Sequence, residues 1–155
     1  MPKQTATMAD PQTLYSLLKE IFLILDDGDR QLLSQYSLTP SRYYALVHLG
    51  ENPGMSLSEL SDLMLCDKSN ATRIVRGLEL DGLALRRPHE TDRRAIRLYL
   101  SDAGDELRRQ AVGAHDRYNQ GRLQTVTNGD AEALLGDLLQ LKRDLHDRAL
   151  RTGSS

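Results

Sequence analysis

Tryptophan is absent from the 155 residues, phenylalanine occurs once, and the only cysteine is Cys66. A single cysteine excludes an internal disulfide framework and suits a reducing compartment. The four histidines, His48, His89, His115 and His146, show no paired spacing with cysteine, so no metal centre is expected. No stretch approaches the roughly 18 apolar residues of a membrane-spanning helix. The first residues, MPKQTATMADP, lack the apolar core of a signal peptide. These absences lead to the expectation of a soluble, cytoplasmic protein with no membrane partner. Nucleophile motifs, phosphate-cradling glycine loops and acid pairs are also missing, so neither an enzyme nor a cofactor is expected. The net charge of −2 advertises no polyanionic partner.

The distribution of charge is more informative than its sum. Residues 1–65 hold 4 basic and 8 acidic side chains, residues 66–97 hold 8 and 5, and residues 98–155 hold 8 and 9. The positive segment contains DKSNATRIVRGLELD, from Asp67 to Asp81, followed by Gly82. Ala71, Ile74, Val75 and Leu78 fall at i, i+3, i+4 and i+7, one face of an α-helix. Asp67 suits the N-cap, and Gly82 suits the left-handed position past the C-terminus. The opposite face carries Ser69, Arg73 and Arg76, flanked by Lys68, Asn70 and Thr72. Arginine can pair bidentately with guanine and asparagine with adenine, while the hydroxyls reach base edges or phosphates. A solvated basic face is the bland alternative, and the neighbouring segments decide between the two.

One domain of ordinary size fits the length, and the chain divides readily. Residues 1–10 read as a flexible tail. A helix opens at Pro11 behind an Asp10 cap and carries Leu14, Leu17, Leu18, Ile21, Ile24, Leu25, Leu32 and Leu33 at helical spacing to about Tyr36. Thr39-Pro40 repeats the cap and opens a helix to Gly50. Ser56 and Glu59 form a capping box for a helix of about two turns, with Leu57, Leu60, Leu63 and Met64 inward. The short link Leu65-Cys66, which lacks the glycine common in such turns, joins it to the Asp67 helix as a helix-turn-helix.

Leu83–Arg87 reads as a strand, Pro88–Arg93 as a polar turn, and Arg94–Leu100 alternates with Ile96, Leu98 and Leu100 on one face. A hairpin directly after a recognition helix is a wing. Its tip gathers Arg86, Arg87, His89, Arg93 and Arg94, suited to a minor groove or a phosphate clamp. Ser101 then caps a helix to about Thr125 through Leu107, Ala111, Ala114, Tyr118 and Leu123. A last helix runs from about Thr127 to Leu150 with a seam of Leu134, Leu138, Leu141 and Leu145, widened by Leu135 and Leu139. Leucine-rich helices at both ends exceed the needs of a small winged domain. The expected architecture is therefore mainly α with a small β-hairpin. A winged helix-turn-helix lobe spans residues 37–100, with its recognition helix at about 68–80 and its wing at about 83–100. Residues 11–36 and 101–150 form dimerisation helices, and residues 151–155 form a tail. Two-fold symmetry would place the recognition helices on half-sites about one DNA turn apart.

From about residue 11 to 150 the order of elements resembles the MarR (multiple antibiotic resistance regulator) family. LTPSRYYAL (Leu38–Leu46), SLSELSDLM (Ser56–Met64), the Asp67–Gly82 helix and DRRAIRLYLSDAG (Asp92–Gly104) carry the resemblance. Asp92, Arg94, Leu100 and Gly104 match the family's wing pattern, and Ser101 replaces its threonine. Arg42 stands where the family frequently has glutamine. The resemblance implies a homodimer that binds near-palindromic double-stranded DNA, most often as a repressor released by a small aromatic or anionic effector. It carries the DNA-contacting role to Lys68, Ser69, Asn70, Thr72, Arg73 and Arg76, and makes Arg94 the wing arginine, oriented by Asp92.

Tyr36, Arg42, Tyr43, Tyr44 and His48 cluster where the family's effector pocket lies. Arg42 or His48 could hold a carboxylate and the tyrosines an aromatic ring, although Tyr43 equally suits the core. Cys66 precedes a helix cap and Lys68, both of which favour thiolate, but the same slot commonly holds an apolar staple. A redox-responsive regulator switched at Cys66 is therefore an alternative. Another is a winged-helix module for protein contact, which the scarcity of aromatics near the arginines disfavours.

Overall fold

The computed structural model describes residues 10–92, 94–127 and 129–152, so of the expected tails at 1–10 and 151–155, residues 1–9 and 153–155 lie outside the described residues. The order is α1 (Pro11–Ser34), α2 (Pro40–Glu51), α3 (Leu57–Leu63), α4 (Lys68–Leu80), β1 (Ala84–Pro88), β2 (Ile96–Leu100), α5 (Asp102–Arg122), α6 (Gln124–Thr127) and α7 (Ala131–Thr152). The chain forms two compact units, one ending at His115 and one beginning at Asp116.

Local capping chemistry sets the helix starts in the first unit. The Asp10 carboxylate accepts from the Thr13 N–H at 3.0 Å, and Thr39 Oγ1 from the Arg42 N–H at 3.3 Å. Glu59 accepts from the Ser56 N–H at 2.7 Å while Ser56 Oγ accepts from the Glu59 N–H at 3.2 Å, closing the capping box. The Asp67 carboxylate accepts from the Asn70 N–H at 2.7 Å. Each bond satisfies a first-turn donor that the helix itself leaves orphaned.

The core joins the end of α1 (Leu33) to α2 (Tyr43, Ala45, Leu46, Leu49), α3 (Leu60), α4 (Ile74, Val75, Leu78), the hairpin (Ala84, Leu98) and α5 (Ala111). Leu63, expected inward, is 48% exposed, because the seven-residue α3 turns only Leu60 and Ser61 fully inward. The hairpin pairs Ala84 with Leu100, Arg86 with Leu98 and Pro88 with Ile96 on its inner face. Leu85 with Tyr99 and Arg87 with Arg97 occupy the outer face. Leu98 also bonds backbone to backbone with Met55 at 2.9 Å and Gly54 at 2.8 Å, tying the wing's base to the loop before α3. Ser101 Oγ caps α5 at the Gly104 N–H, 3.0 Å away, and donates to the Gly82 carbonyl at 2.6 Å. Only glycine fits at 104, since a Cβ there would lie 2.0 Å from the Leu83 carbonyl oxygen.

Along α1 only Asp29 and Leu33 are buried, leaving Leu14, Leu17, Ile21 and Ile24 exposed. In the second unit α5 stops at Arg122, and the separate turn α6 occupies part of the stretch where one long helix was expected. Leu134, Leu135, Leu138, Leu139 and Leu145 of α7 are exposed, and the helix runs two residues into the expected tail. No helix among the described residues is long and apolar enough to cross a membrane.

Candidate nucleic-acid interface

The interface is built on α4. Burial of Ala71, Ile74, Val75 and Leu78 presents Lys68, Ser69, Thr72, Arg73 and Arg76 to solvent, with Asn70 half-buried beside them. Gly82, at φ +69°, takes the left-handed position that ends the helix. The turn before α4 places Leu65 at φ +50°, so a leucine occupies the conformation for which glycine is usual, and its side chain is 87% exposed.

Three of the expected reading groups are already engaged. Arg73 donates to Asn70 Oδ1 at 2.8 Å, so Asn70 cannot pair bidentately with adenine without releasing Arg73. The Thr72 hydroxyl donates to the Lys68 carbonyl at 2.7 Å, leaving only its lone pairs for a partner. Among the described residues, the side chains of Lys68, Ser69 and Arg76 make no hydrogen bond or ion pair.

The wing distributes its cations differently from the sequence expectation. Arg86 is not at the tip: it faces inward with Leu98, and its Nε lies 2.9 Å from both carboxylate oxygens of Glu79 on α4. Arg87 faces outward over the Tyr99 ring at 5.2 Å. It also stands directly opposite Arg97, a like-charge pairing that costs stability unless an anion neutralises it. His89 organises the tip. Its Nδ1 lies 3.3 Å from the Thr91 and Asp92 N–H groups, and its Nε2 lies 2.7 Å from the Arg97 guanidinium. Asp92 was expected to hold the Arg94 guanidinium; it accepts instead from the Arg94 backbone N–H at 3.0 Å. The carboxylate therefore shapes the turn, and among the described residues the Arg94 guanidinium is unpaired. Arg93 lies outside the described residues.

The five residues expected around an effector have different surroundings. Tyr43 is buried, with ring centroids 5.2 Å from Tyr44 and 4.9 Å from His115. Tyr36 and Val47 pack against the core, and His48 is half-buried, its carbonyl accepting from Asn52. Arg42 reaches the opposite way, pairing with Asp81 and donating to the Gly77 carbonyl at 3.4 Å. There it joins Arg30 and Arg73 in lining a cleft of about 640 Å³, together with Thr39, Pro40 and Ser41 at the start of α2. Arg42 Nε is buried and has no partner among the described residues. No sequence pattern pointed to the pair between His115 and Asp29, 3.1 Å apart and about nine-tenths buried, because 86 positions separate them. Cys66 is a half-buried free thiol whose N–H donates to the Ser61 carbonyl at 3.1 Å. No cluster of three metal-ligating side chains occurs among the described residues.

Comparison with known proteins adds four likenesses. The model of the MarR family matches residues 38–96. A protein of Thauera aromatica named for transcriptional regulation of the hcr operon is 30% identical over 114 residues, covering 74% of this chain and 69% of that protein. The crystal structure of the transcriptional regulator SlyA superposes with a TM-score of 0.77 at 25% identity, covering 85% of this chain and 95% of that one. The transcriptional repressor CouR, solved on a 23-mer DNA duplex, shares the fold with a TM-score of 0.74 at 24% identity, over 81% of this chain and 89% of that one.

Proposed function

The chain belongs to the MarR family of DNA-binding transcriptional regulators, and from that premise we propose that it acts as a homodimeric repressor of a near-palindromic operator. The observation that carries this reading is the set of cationic side chains that α4 and the wing leave exposed. Lys68, Ser69, Arg73 and Arg76 face solvent on α4, and Arg87 and Arg94 face solvent on the wing. Arg73 and Arg76 reach base edges, Lys68 and Ser69 reach base edges or phosphates, and Arg94 enters the adjacent minor groove. Asn70 contributes through its amide donors and Thr72 through its hydroxyl lone pairs. The repressor CouR, seen on DNA, supports this direction of regulation.

Exposed leucines and isoleucines on α1 and α7 support a dimer, since apolar faces of that extent call for a partner surface. An anionic effector is supported by the cleft lined by Arg30, Arg42 and Arg73, where Asp26 pairs with Arg30 and Asp81 with Arg42, because an occupant that draws on Arg73 removes a reading group from DNA. Cys66 keeps the redox alternative testable: peroxide should then release DNA from wild type but not from Cys66→Ser.

Fluorescence anisotropy on DNA from the gene's own upstream region, against scrambled DNA and across a salt series, tests the reading. Tight, sequence-dependent binding that weakens steeply with salt is expected. Equal weak binding to both duplexes would overturn it. Benzoate and related aromatic acids, added to the complex, test release.

A further inference from the structure

We propose that Glu79 is a positioning residue for DNA reading, and that Arg86 serves as its strut between the recognition helix and the wing rather than as a DNA contact. The proposal rests on the DNA-reading role of α4 and the wing and adds how their relative placement is set. Three observations carry it. The Arg86 Nε lies 2.9 Å from both Glu79 oxygens, and the two side chains are only 33% and 27% exposed. The pleat puts Arg86 on the inner face with Ala84 and Leu98, whereas Arg87, one residue on, faces out. Glu79 is also the one carboxylate within the span of α4, where an acidic group repels DNA unless it is neutralised from within the protein.

The position of the pair explains its use. Helix α4 is seated independently by its buried apolar face and by the Arg42–Asp81 pair just beyond its end. The hairpin is seated at its base by Ala84 and Leu98. Arg86 is the inward residue farthest along β1 before Pro88, so its bond to Glu79 is the outermost polar tie between helix and wing among the described residues. Arg73 and Arg94 must meet one duplex together, and this tie holds the spacing between the elements that carry them.

The tests follow from opposite signs. With a strut, Glu79→Gln and Arg86→Gln each weaken binding to the upstream DNA by roughly fivefold or more, the scale of coupling expected for a contacting pair. Both leave the slope of log affinity against log salt unchanged, and the exchanged pair Glu79→Arg with Arg86→Glu recovers most of the loss. If Arg86 instead touches phosphate, Arg86→Gln lowers that slope by about one ion and Glu79→Gln strengthens binding, which overturns the proposal. Hydrogen exchange of the free protein gives an arm independent of DNA. Faster exchange confined to β1 and β2 in either single variant, restored in the exchanged pair, supports the strut; unchanged exchange overturns it. Failure of the wild type to discriminate DNA would strike the DNA-reading role, while the exchange result would still decide the tie.

Discussion

Arg73 illustrates how one side chain can belong to two surfaces. It lies on the exposed face of α4, is held by Asn70, and also lines the cleft beside Arg42. Arg73→Ala should relax sequence preference and cost about 1–3 kcal/mol of operator binding if the guanidinium is bidentate to a base. Unchanged discrimination between upstream and scrambled DNA in the anisotropy titration would remove that role. Leu65 gives a prediction about stability. A non-glycine residue in the left-handed region costs roughly 1–2 kcal/mol, and glycine's extra unfolded entropy offsets part of this. Leu65→Gly should therefore raise stability by up to about 1 kcal/mol, seen as a higher Tm. A lowered Tm would show that the exposed leucine is held by contacts that outweigh its backbone strain. The sequence showed that this turn lacked glycine but not which residue would take the strained place, since that depends on how α3 and α4 are both seated.

At the scale of the element, capping was legible and facing was less so. Asp10, Thr39, Ser56 and Asp67 each cap the helix expected of them, because a cap needs only the three residues that follow. The inner face of α4 was equally clear from its period. Leu63, Arg86 and Asp92 point elsewhere than expected: α3 is only seven residues long, Arg86 is drawn to Glu79 on the preceding helix, and Asp92 closes the turn on the Arg94 N–H. The capping box also sets a pH dependence. Hydrogen bonds from Ser56, first from its backbone N–H and then from its hydroxyl, hold the Glu59 carboxyl below its ordinary value of 4.5. A lowered carboxyl stabilises the fold above its unfolded value, and this contribution is lost as pH falls through the folded one. Glu59→Gln should thus lower Tm near neutrality, with the gap to wild type closing in acid below that value. A gap independent of pH would mean that the ionised carboxylate is not what stabilises the helix start. Asp105 shifts in the same direction through its bond from Arg108, so the wild type itself should lose stability in acid.

For the whole molecule, the architecture of α-helices and one hairpin could be read from periodicity, and the link between fold and DNA from the local excess of basic residues. The pairing of Asp29 with His115 could not, and nor could the break between α5 and α6. A long-range polar pair leaves no periodic trace, and the exposed residues around Leu123 offered no apolar pattern to interrupt. The apolar residues left exposed on α7 give the test of assembly. Leu138→Asp changes an exposed position, so it should leave the fold of each chain intact while shifting sedimentation towards the monomer and weakening operator binding. A dimer undisturbed by this change and by Ile21→Asp on α1 would place the association surface elsewhere.

The burial of α1 at Asp29 and Leu33 alone also has a mechanical consequence. Leu33 marks the anchored end of α1, with the rest of the helix extending about 33 Å from it to Pro11. A tilt of about 5° there moves the far end by about 3 Å, close to the rise of one base pair. In the proposed dimer, a rotation of a few degrees at the foot of this helix would reach its far end as a shift on the scale of one base-pair step.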